Sequence, residues 1–182
     1  MKRFQNYQVL AFDFDETLAT LDVPWGRARS ELQMMLQQEF GFDSKGLMLH
    51  QSIDVAQEAY GLEVKDNVRA ILYGYESVAA YTVNVALVEK LKALRKPVAI
   101  YSNNCHEVVK KVVCEIGLGE IVELVIAYED VPQFKPHPAG MEMLLKHFSL
   151  SPEEILYVGD KDTDRQVAEA CGVPFYFVQE LV

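Results

Sequence analysis

Two pairs of aspartates are spaced so that their carboxylates could act together on a cation or a proton. Asp13 and Asp15 directly follow the apolar run at residues 7–12, and side chains two residues apart leave a strand on the same side. Asp160 and Asp164 follow a later apolar run and lie four residues apart, so one helical turn would bring them together. Each pair alone also fits a structural role, as a turn former or a helix cap.

Electrostatics favour a shared role for the two pairs. Two carboxylates about 4 Å apart repel by roughly 4 kcal/mol at an effective dielectric near 20, which is large beside a net stability of about 5–15 kcal/mol. A bound cation would remove this repulsion. Oxygen ligands select a hard ion, and the sequence has no cluster of histidines or cysteines that would suit zinc. We therefore predict Mg²⁺ as the cofactor.

Two further segments could hold an anion. Ser102, Asn103 and Asn104 follow an apolar run and precede a predicted helix, so a hydroxyl and free backbone amides could bind phosphate there. Lys135 begins the segment Lys-Pro-His-Pro, whose prolines stiffen the loop and would make its ammonium a fixed point charge. A helix cap and a solvated surface lysine are the structural alternatives for these two segments.

The elements that must position these residues are predicted by apolar patterns. Short apolar runs indicate buried strands at residues 7–12, 98–101, 124–127, 155–158 and 175–178. Helical patterns lie between the later runs, at residues 85–95, 106–116, 138–148 and 163–171. Strands that alternate with helices predict an α/β fold with a parallel sheet covered on both faces.

One connection is too long to be a simple crossover. Residues 18–84 separate the first strand from the next crossover helix, whereas a crossover needs about a dozen residues. This stretch has helical patterns of its own at residues 27–40 and 66–81. We predict a helical insertion over residues 20–83, with residues 1–19 and 84–182 forming the α/β core.

Composition restricts the partners and the compartment. The net charge of −10 argues against nucleic acid or an anionic membrane as the main partner. The apolar stretch before Asp13 is too short for a signal peptide, and no run has membrane-spanning length. The three cysteines, an odd number, suit a reducing compartment. We expect a cytoplasmic protein, and the oligomeric state stays open.

The order of the four motifs resembles the haloacid dehalogenase-like hydrolase superfamily. It is most similar to the phosphoglycolate phosphatase-like branch, which carries a small helical cap after the first strand. The resemblance covers residues 7–18 and about 85–178 and includes all four of the family's motifs. It implies a Rossmann-like sheet of five parallel strands in the order 5-4-1-2-3, with the cap in the position of the predicted insertion.

This resemblance also implies roles in catalysis. Asp13 would be the nucleophile that forms an aspartyl-phosphate, and Asp15 would protonate the leaving oxygen and then activate water. The presence of Asp15 favours phosphoryl transfer, because dehalogenases of this superfamily lack the second acid. Glu16 stands where a glycine is common in the family, and we expect this change to be tolerated.

The resemblance further assigns the ligands of the metal and of the phosphoryl group. Mg²⁺ would be held by Asp13, the backbone carbonyl of Asp15 and Asp160, with Asp164 bound to it directly or through an intermediate group. The phosphoryl oxygens would be held by Ser102, the amide of Asn103 and Lys135.

The implied function is a Mg²⁺-dependent phosphatase that hydrolyses a small soluble phosphomonoester. Two alternatives stay open, a sugar phosphomutase of the same superfamily and a catalytically idle binding module on this fold. The cap is expected to close over the site and choose the substrate. Trp25, Arg27 and Arg29 either contact the leaving group or form the start of a cap helix, and the identity of the phosphomonoester is undetermined.

Overall fold

The chain folds into an α/β structure, in a computed structural model that describes residues 2–181. Its strands in chain order are β1 (Val9–Phe12), β2 (Ala19–Leu21), β3 (Tyr81–Val83), β4 (Val98–Tyr101), β5 (Val122–Ile126), β6 (Ile155–Gly159) and β7 (Phe175–Phe177). Its α-helices are α1 (Trp25–Phe40), α2 (Leu49–Tyr60), α3 (Leu62–Glu76), α4 (Val85–Leu94), α5 (His106–Glu115), α6 (Ala139–Phe148) and α7 (Asp162–Cys171).

A parallel sheet of β1, β4, β5, β6 and β7 forms the centre of the fold, with helices on both faces. Every residue of β1, β4 and β6 is buried, whereas the edge strands β5 and β7 are partly accessible. Because a strand covered on both faces has no polar side, these three strands are continuous apolar runs. The predicted α/β fold with a parallel sheet is confirmed.

The strand order is β5-β4-β1-β6-β7 in the numbering of the structure. When only these five strands are counted along the chain, this is the expected order 5-4-1-2-3, read from the opposite edge of the sheet. The expectation counted five strands along the chain. Two short strands that it did not include, β2 and β3, pair antiparallel in a separate ribbon and raise the numbers of all later strands. Their three residues each are too few to show a periodic apolar pattern.

The sheet and its helices pack around a common apolar core. Ala11 in the middle of β1 pairs with Ala99 of β4 on one side and Tyr157 of β6 on the other. Helix α6 approaches β4 closely, since a Cβ placed on Gly140 would lie 2.3 Å from the Tyr101 ring. The missing side chain of this glycine therefore sets the distance between helix and sheet.

By its internal contacts the chain divides into two compact units. One combines the residues up to Leu21 with those from Tyr81 onward, and the other is Asp22–Ala80. The second unit contains α1, α2 and α3, which bury apolar side chains such as Leu36, Ile53 and Val68 against one another.

Within the second unit the helix boundaries differ from those expected. Helix α1 begins at Trp25, two residues before the predicted start, and α3 covers Leu62–Glu76 instead of residues 66–81. Helix α2 was not predicted at all, because two of its three buried residues are Ser52 and Ala56, which contribute little to an apolar pattern.

No α-helix within residues 2–181 combines the length and the apolar character needed to cross a lipid bilayer.

Candidate active site

The predicted functional residues lie at the carboxyl ends of three adjacent strands. Asp13 follows β1, Ser102 follows β4 and Asp160 follows β6, and β1 lies between the other two strands in the sheet. The backbone N–H of Asp13 donates to the carbonyl of Val158 at 2.8 Å, which continues the strand pairing to the point where the carboxylate emerges. This edge is where open parallel sheets bind ligands.

Lys135 is buried between two of the aspartates. Its Nζ donates to Asp13 Oδ1 and to Asp164 Oδ1, both at 2.6 Å, and the side chain is only 4% exposed. Tyr101 O, at 3.1 Å, also accepts from the ammonium. Burial alone would lower the pKa of Lys135, but the two carboxylates hold it above its ordinary value, so the buried ammonium stays charged.

Asp164 is occupied by protein donors on both oxygens. Its Oδ1 accepts from Lys135 and from the Tyr157 hydroxyl at 2.8 Å, and its Oδ2 accepts from the Lys161 backbone N–H at 3.1 Å. Burial would raise the pKa of Asp164, but Lys135 and these donors hold it below its usual value. Gly159 permits this placement, because a Cβ there would lie 2.5 Å from Asp164 Cγ. Asp164 thus anchors Lys135.

Asp160 has an oxygen that nothing else in the described part of the chain satisfies. Its side chain is only 5% exposed, and its Oδ1 is buried without a hydrogen-bond partner among residues 2–181. Burial, the largest cause, acts together with the neighbouring Glu16 and Asp13 carboxyls to raise the pKa of Asp160 to about 8. A buried, unpaired carboxylate oxygen is costly unless a cation or a proton binds it.

The three acids converge closely enough to hold one ion. Ligand oxygens of Asp13, Asp160 and Asp164 all lie within 4.8 Å of one another. Because the donor set is all oxygen and one of its atoms lacks a partner, the site fits a hard divalent cation. The spacing of the aspartates in the sequence predicted a metal site, and the structure has an acidic cluster there that could bind a metal ion.

Asp15 lies beside the cluster in an environment that favours its protonated form. The carboxyl accepts a hydrogen bond from the Leu21 backbone N–H at 2.9 Å and is largely buried. Burial raises the pKa of Asp15 above its ordinary value. A carboxyl that holds its proton more tightly than usual is suited to donate it to a leaving group.

The loop after β4 is arranged by its own side chains. Ser102 Oγ donates to Asn104 Oδ1 at 2.8 Å and accepts from the Asn104 N–H at 3.1 Å. Asn103 Oδ1 accepts from the Lys135 N–H at 3.0 Å, which connects this loop to the lysine segment. Lys135 therefore connects Asp13 with the loop that contains Ser102 and Asn103. These four predicted residues lie together at the sheet edge.

Two residues at the site, Tyr157 and Thr17, were not singled out from the sequence. Tyr157 lies inside an apolar strand, yet its hydroxyl contacts Lys135 at 3.2 Å and Asp164. The Thr17 hydroxyl donates to Asp13 Oδ2 at 3.5 Å. A tyrosine in a fully buried strand is itself a signal, because its hydroxyl needs a polar partner.

The start of α1 contains the three residues that the sequence offered either as contacts of the leaving group or as a helix start: Trp25, Arg27 and Arg29. They belong to the unit of residues Asp22–Ala80. Trp25 is the first residue of this helix and is 39% exposed, so it is not part of the apolar core of that unit.

Comparison with known proteins adds an independent line of evidence. The family model described as haloacid dehalogenase-like hydrolase matches residues 10–178. A phosphoglycolate phosphatase of Pectobacterium atrosepticum is 36% identical over 76 residues, which are 42% of this chain and 32% of that protein. The chain thus spans about a third of the length of this curated relative.

Solved structures show the same fold. A protein of Bacteroides fragilis assigned to the haloacid dehalogenase-like hydrolases aligns with a TM-score of 0.64 and 22% identity, over 93% of this chain and 86% of that one. A protein of Thermotoga maritima assigned as a beta-phosphoglucomutase aligns with a TM-score of 0.58 and 15% identity, over 93% of this chain and 84% of that one. Both likenesses concern the fold alone.

Proposed function

This chain belongs to the haloacid dehalogenase-like hydrolase family, and from this premise we propose that it is a Mg²⁺-dependent phosphatase. The substrate would be a small phosphorylated metabolite, hydrolysed through an aspartyl-phosphate on Asp13. The named relative of Pectobacterium atrosepticum makes phosphoglycolate a first substrate to test, beside nucleoside monophosphates and sugar phosphates.

The observation that carries this proposal is the pairing of Asp13 with Lys135 inside the acidic cluster. Asp13 Oδ1 lies 2.6 Å from the buried ammonium, and its carboxylate shares the cluster with the partly unsatisfied Asp160. Burial raises the pKa of Asp13, and Lys135 opposes this effect, so the lysine supports the ionised form that a nucleophile needs. The same lysine offers positive charge to an incoming phosphate.

The proposed reaction has two displacement steps. An oxygen of Asp13 attacks phosphorus, the bond from phosphorus to the leaving oxygen breaks, and Asp15 gives its proton to that oxygen. Asp15, now ionised, takes a proton from water as the water oxygen attacks phosphorus and the bond to Asp13 breaks. The raised pKa of Asp15, caused by burial, supports its role as the acid in the first step.

The bound cation would be held by Asp13, Asp160 and the backbone carbonyl of Asp15. When present, it would offset the negative charge of the carboxylates and of the phosphoryl group. Since both oxygens of Asp164 accept from protein donors, we propose that this residue acts mainly by holding Lys135. Ser102, the Asn103 amide and Lys135 are the proposed contacts of the phosphoryl oxygens.

The compartment, the partners and the role of the insertion are also part of the proposal. We propose a cytoplasmic enzyme without nucleic acid or membrane partners, in keeping with the net charge of −10. The insertion over residues 20–83, with the core at residues 1–19 and 84–182, is the proposed source of substrate choice. A catalytically idle binding module is disfavoured, because mutually repelling buried acids would then be a cost without a function.

The proposal is tested by measuring phosphate release from a panel of phosphomonoesters with MgCl₂ and, separately, with EDTA. The panel contains 2-phosphoglycolate, nucleoside monophosphates, hexose phosphates and p-nitrophenyl phosphate. We expect release with MgCl₂ only, and none from Asp13→Asn, whereas Asp22→Asn serves as a matched exposed control with normal activity. Absence of release from every substrate would overturn the proposal, and conversion of a hexose phosphate into its isomer would favour the phosphomutase.

A further inference from the structure

A second lysine, Lys161, lies beside the carboxyl of Asp160. Lys161 Nζ lies 3.5 Å from Asp160 Oδ2, and the lysine side chain is 52% exposed and thus free to move outward. An ammonium and a divalent cation that share one carboxylate repel each other. Lys161 therefore lies against Asp160 while no ion is bound, and its positive charge opposes an ion that arrives.

Glu16 offers Lys161 an alternative partner. Glu16 Oε2 lies 3.4 Å from Lys161 Nζ, and the Glu16 side chain is 53% exposed. Its carboxyl also contacts that of Asp160, so the ammonium lies between two carboxyl groups, of which one is buried and the other is open to solvent. Lys161 already lies within ion-pair distance of Glu16, so a small movement away from Asp160 would leave it paired with Glu16 alone.

The backbone at Glu16 is held in a conformation that a glutamate rarely adopts. Its φ of 63° lies in the left-handed region, and its N–H donates to Ala19 O at 2.8 Å in the turn after β1. Such a conformation is strained and persists where the surroundings fix it. Here it directs a carboxylate toward Lys161.

We propose that Glu16 and Lys161 form a cation relay: Lys161 lies against Asp160 in the metal-free protein and passes to Glu16 alone when a divalent cation binds Asp160. This inference rests on the metal site of the proposed function and identifies Glu16 as a positioning residue that acts through Lys161. An independent observation points to the ligand, namely the buried Asp160 Oδ1 that has no partner within residues 2–181 while the side chain is 5% exposed.

The relay predicts opposite effects of two neutral substitutions on Mg²⁺ affinity. Lys161→Gln removes the competing charge and should tighten Mg²⁺ binding by about three- to tenfold, the size expected for one charge near a divalent ion at high effective dielectric. Glu16→Gln removes the alternative partner and should weaken binding by about the same factor.

A double-mutant cycle tests whether Glu16 acts through Lys161. Mg²⁺ dissociation constants are measured by isothermal titration calorimetry on metal-stripped protein, so the readout does not depend on activity. If Glu16 acts through the lysine, the effect of Glu16→Gln should be at least threefold smaller in the Lys161→Gln background. A smaller reduction, or none, would overturn the relay. The exposed pair Lys92 and Glu89, 2.9 Å apart on α4, provides matched control substitutions that should leave the Mg²⁺ affinity unchanged.

The experiment separates this inference from the function on which it rests. If the unsubstituted protein binds no Mg²⁺, both the metal site and the relay are overturned. If it binds Mg²⁺ but Glu16→Gln has the same effect in both backgrounds, only the relay is overturned. Melting temperatures of the metal-free variants give a further check, because a purely structural role of Glu16 would lower them and leave the dissociation constant unchanged.

Discussion

Lys135 is the residue on which the buried charges of the site depend. It is 4% exposed and makes two ion pairs of 2.6 Å, with Asp13 and Asp164, from different segments of the chain. A buried ion pair adds little net stability over an apolar replacement, because desolvation offsets its attraction. Removal of one partner, however, leaves the other charges uncompensated. The lysine therefore matters for folding as well as for the proposed chemistry.

We predict that Lys135→Met lowers the free energy of unfolding by about 3–5 kcal/mol in metal-free protein, because it leaves two buried carboxylates without their cation. Urea unfolding monitored by circular dichroism measures this change. Lys146→Met, at an exposed position of α6, is the control and should change stability by no more than about 0.5 kcal/mol. A loss below about 1 kcal/mol in Lys135→Met would contradict the proposed dependence on this ion pair.

The protonation of Asp160 should make the stability of the metal-free protein depend on pH. The folded protein holds this proton up to a pH of about 8, whereas the ordinary value for the carboxyl is 3.8. Because the folded state binds more protons between these values, the contribution of Asp160 to stability falls as pH rises through this window and is constant above it. Asp160→Asn removes this contribution.

We therefore predict that the melting temperature of Asp160→Asn, relative to that of the unsubstituted protein, increases as pH rises from 5 toward 8. This window is taken from the raised pKa of about 8. Thermal unfolding in EDTA measures the difference. Asp162→Asn is the control, since its pKa is lowered by hydrogen bonds from Arg165 and Gln166 and its effect should stay constant over this range. A difference that does not change with pH would argue against the buried proton.

At the residue scale, the sequence predicted the positions of the charged groups better than it predicted their partners. Asp13, Lys135 and Asp160 lie where the strand order and the family resemblance indicate. Tyr157 was missed, because a tyrosine inside an apolar run does not reveal which way its hydroxyl points. The contact of Glu16 with Lys161 was also missed, since it joins two loops that are far apart in the sequence.

At the element scale, the contact of α6 with β4 is set by one small residue. Gly140 is the second residue of α6, and a Cβ there would lie 2.3–2.8 Å from three atoms of the Tyr101 ring. The Tyr101 hydroxyl donates to His137 O at 3.0 Å, so the ring cannot turn aside without loss of that hydrogen bond. A methyl group at position 140 must therefore displace the helix or the strand.

We predict that Gly140→Ala destabilises the protein by about 1–3 kcal/mol through overpacking, in spite of the higher helix propensity of alanine. Gly74→Ala in α3 is the matched control, because no atom lies within 4 Å of a Cβ built there. That variant should gain about 0.4–1 kcal/mol. Urea unfolding of both variants gives the two values, and a stabilising Gly140→Ala would contradict the close packing of α6 on β4.

Elements with a strong apolar pattern or a clear stop signal were predictable from the sequence, and elements without such signals were not. The three fully buried central strands are continuous apolar runs, and α1 ends at Gly41, whose φ of 66° is typical of a helix stop. The ribbon of β2 and β3 consists of three-residue strands held by pairing between distant segments. Such pairing is a tertiary effect that local sequence does not encode.

At the scale of the whole molecule, the net charge of the chain opposes the binding of an anionic substrate, whereas the local charge at the sheet edge favours it. The chain carries a net charge of −10, so its overall field repels a phosphate dianion. Lys135 and Lys161 concentrate positive charge at the sheet edge that also carries the acids. Local contacts at this edge, rather than the overall field, must therefore provide the affinity for an anionic substrate.

The two units of the chain are joined at the end of the ribbon of β2 and β3. Strands β2 and β3 pair antiparallel up to Leu21 and Tyr81, and the Asp22 N–H donates to Ala80 O at 2.8 Å. This last bond is one of the pair that flanks a two-residue hairpin loop, for which Asn-Gly is the preferred sequence. Residues 23–79 can therefore be replaced by Asn-Gly without a change in the register of the ribbon.

We predict that this replacement leaves a cooperatively folding core, because the parallel sheet and its own helices belong to the unit that is retained. If residues 20–83 select the substrate, the shortened protein should still release phosphate from p-nitrophenyl phosphate, while its kcat/KM values for different metabolites should converge. The same replacement combined with Asp13→Asn is the control and should be inactive. An unchanged substrate preference would show that selectivity lies in the α/β core, and a core that does not unfold cooperatively in urea would contradict its independence.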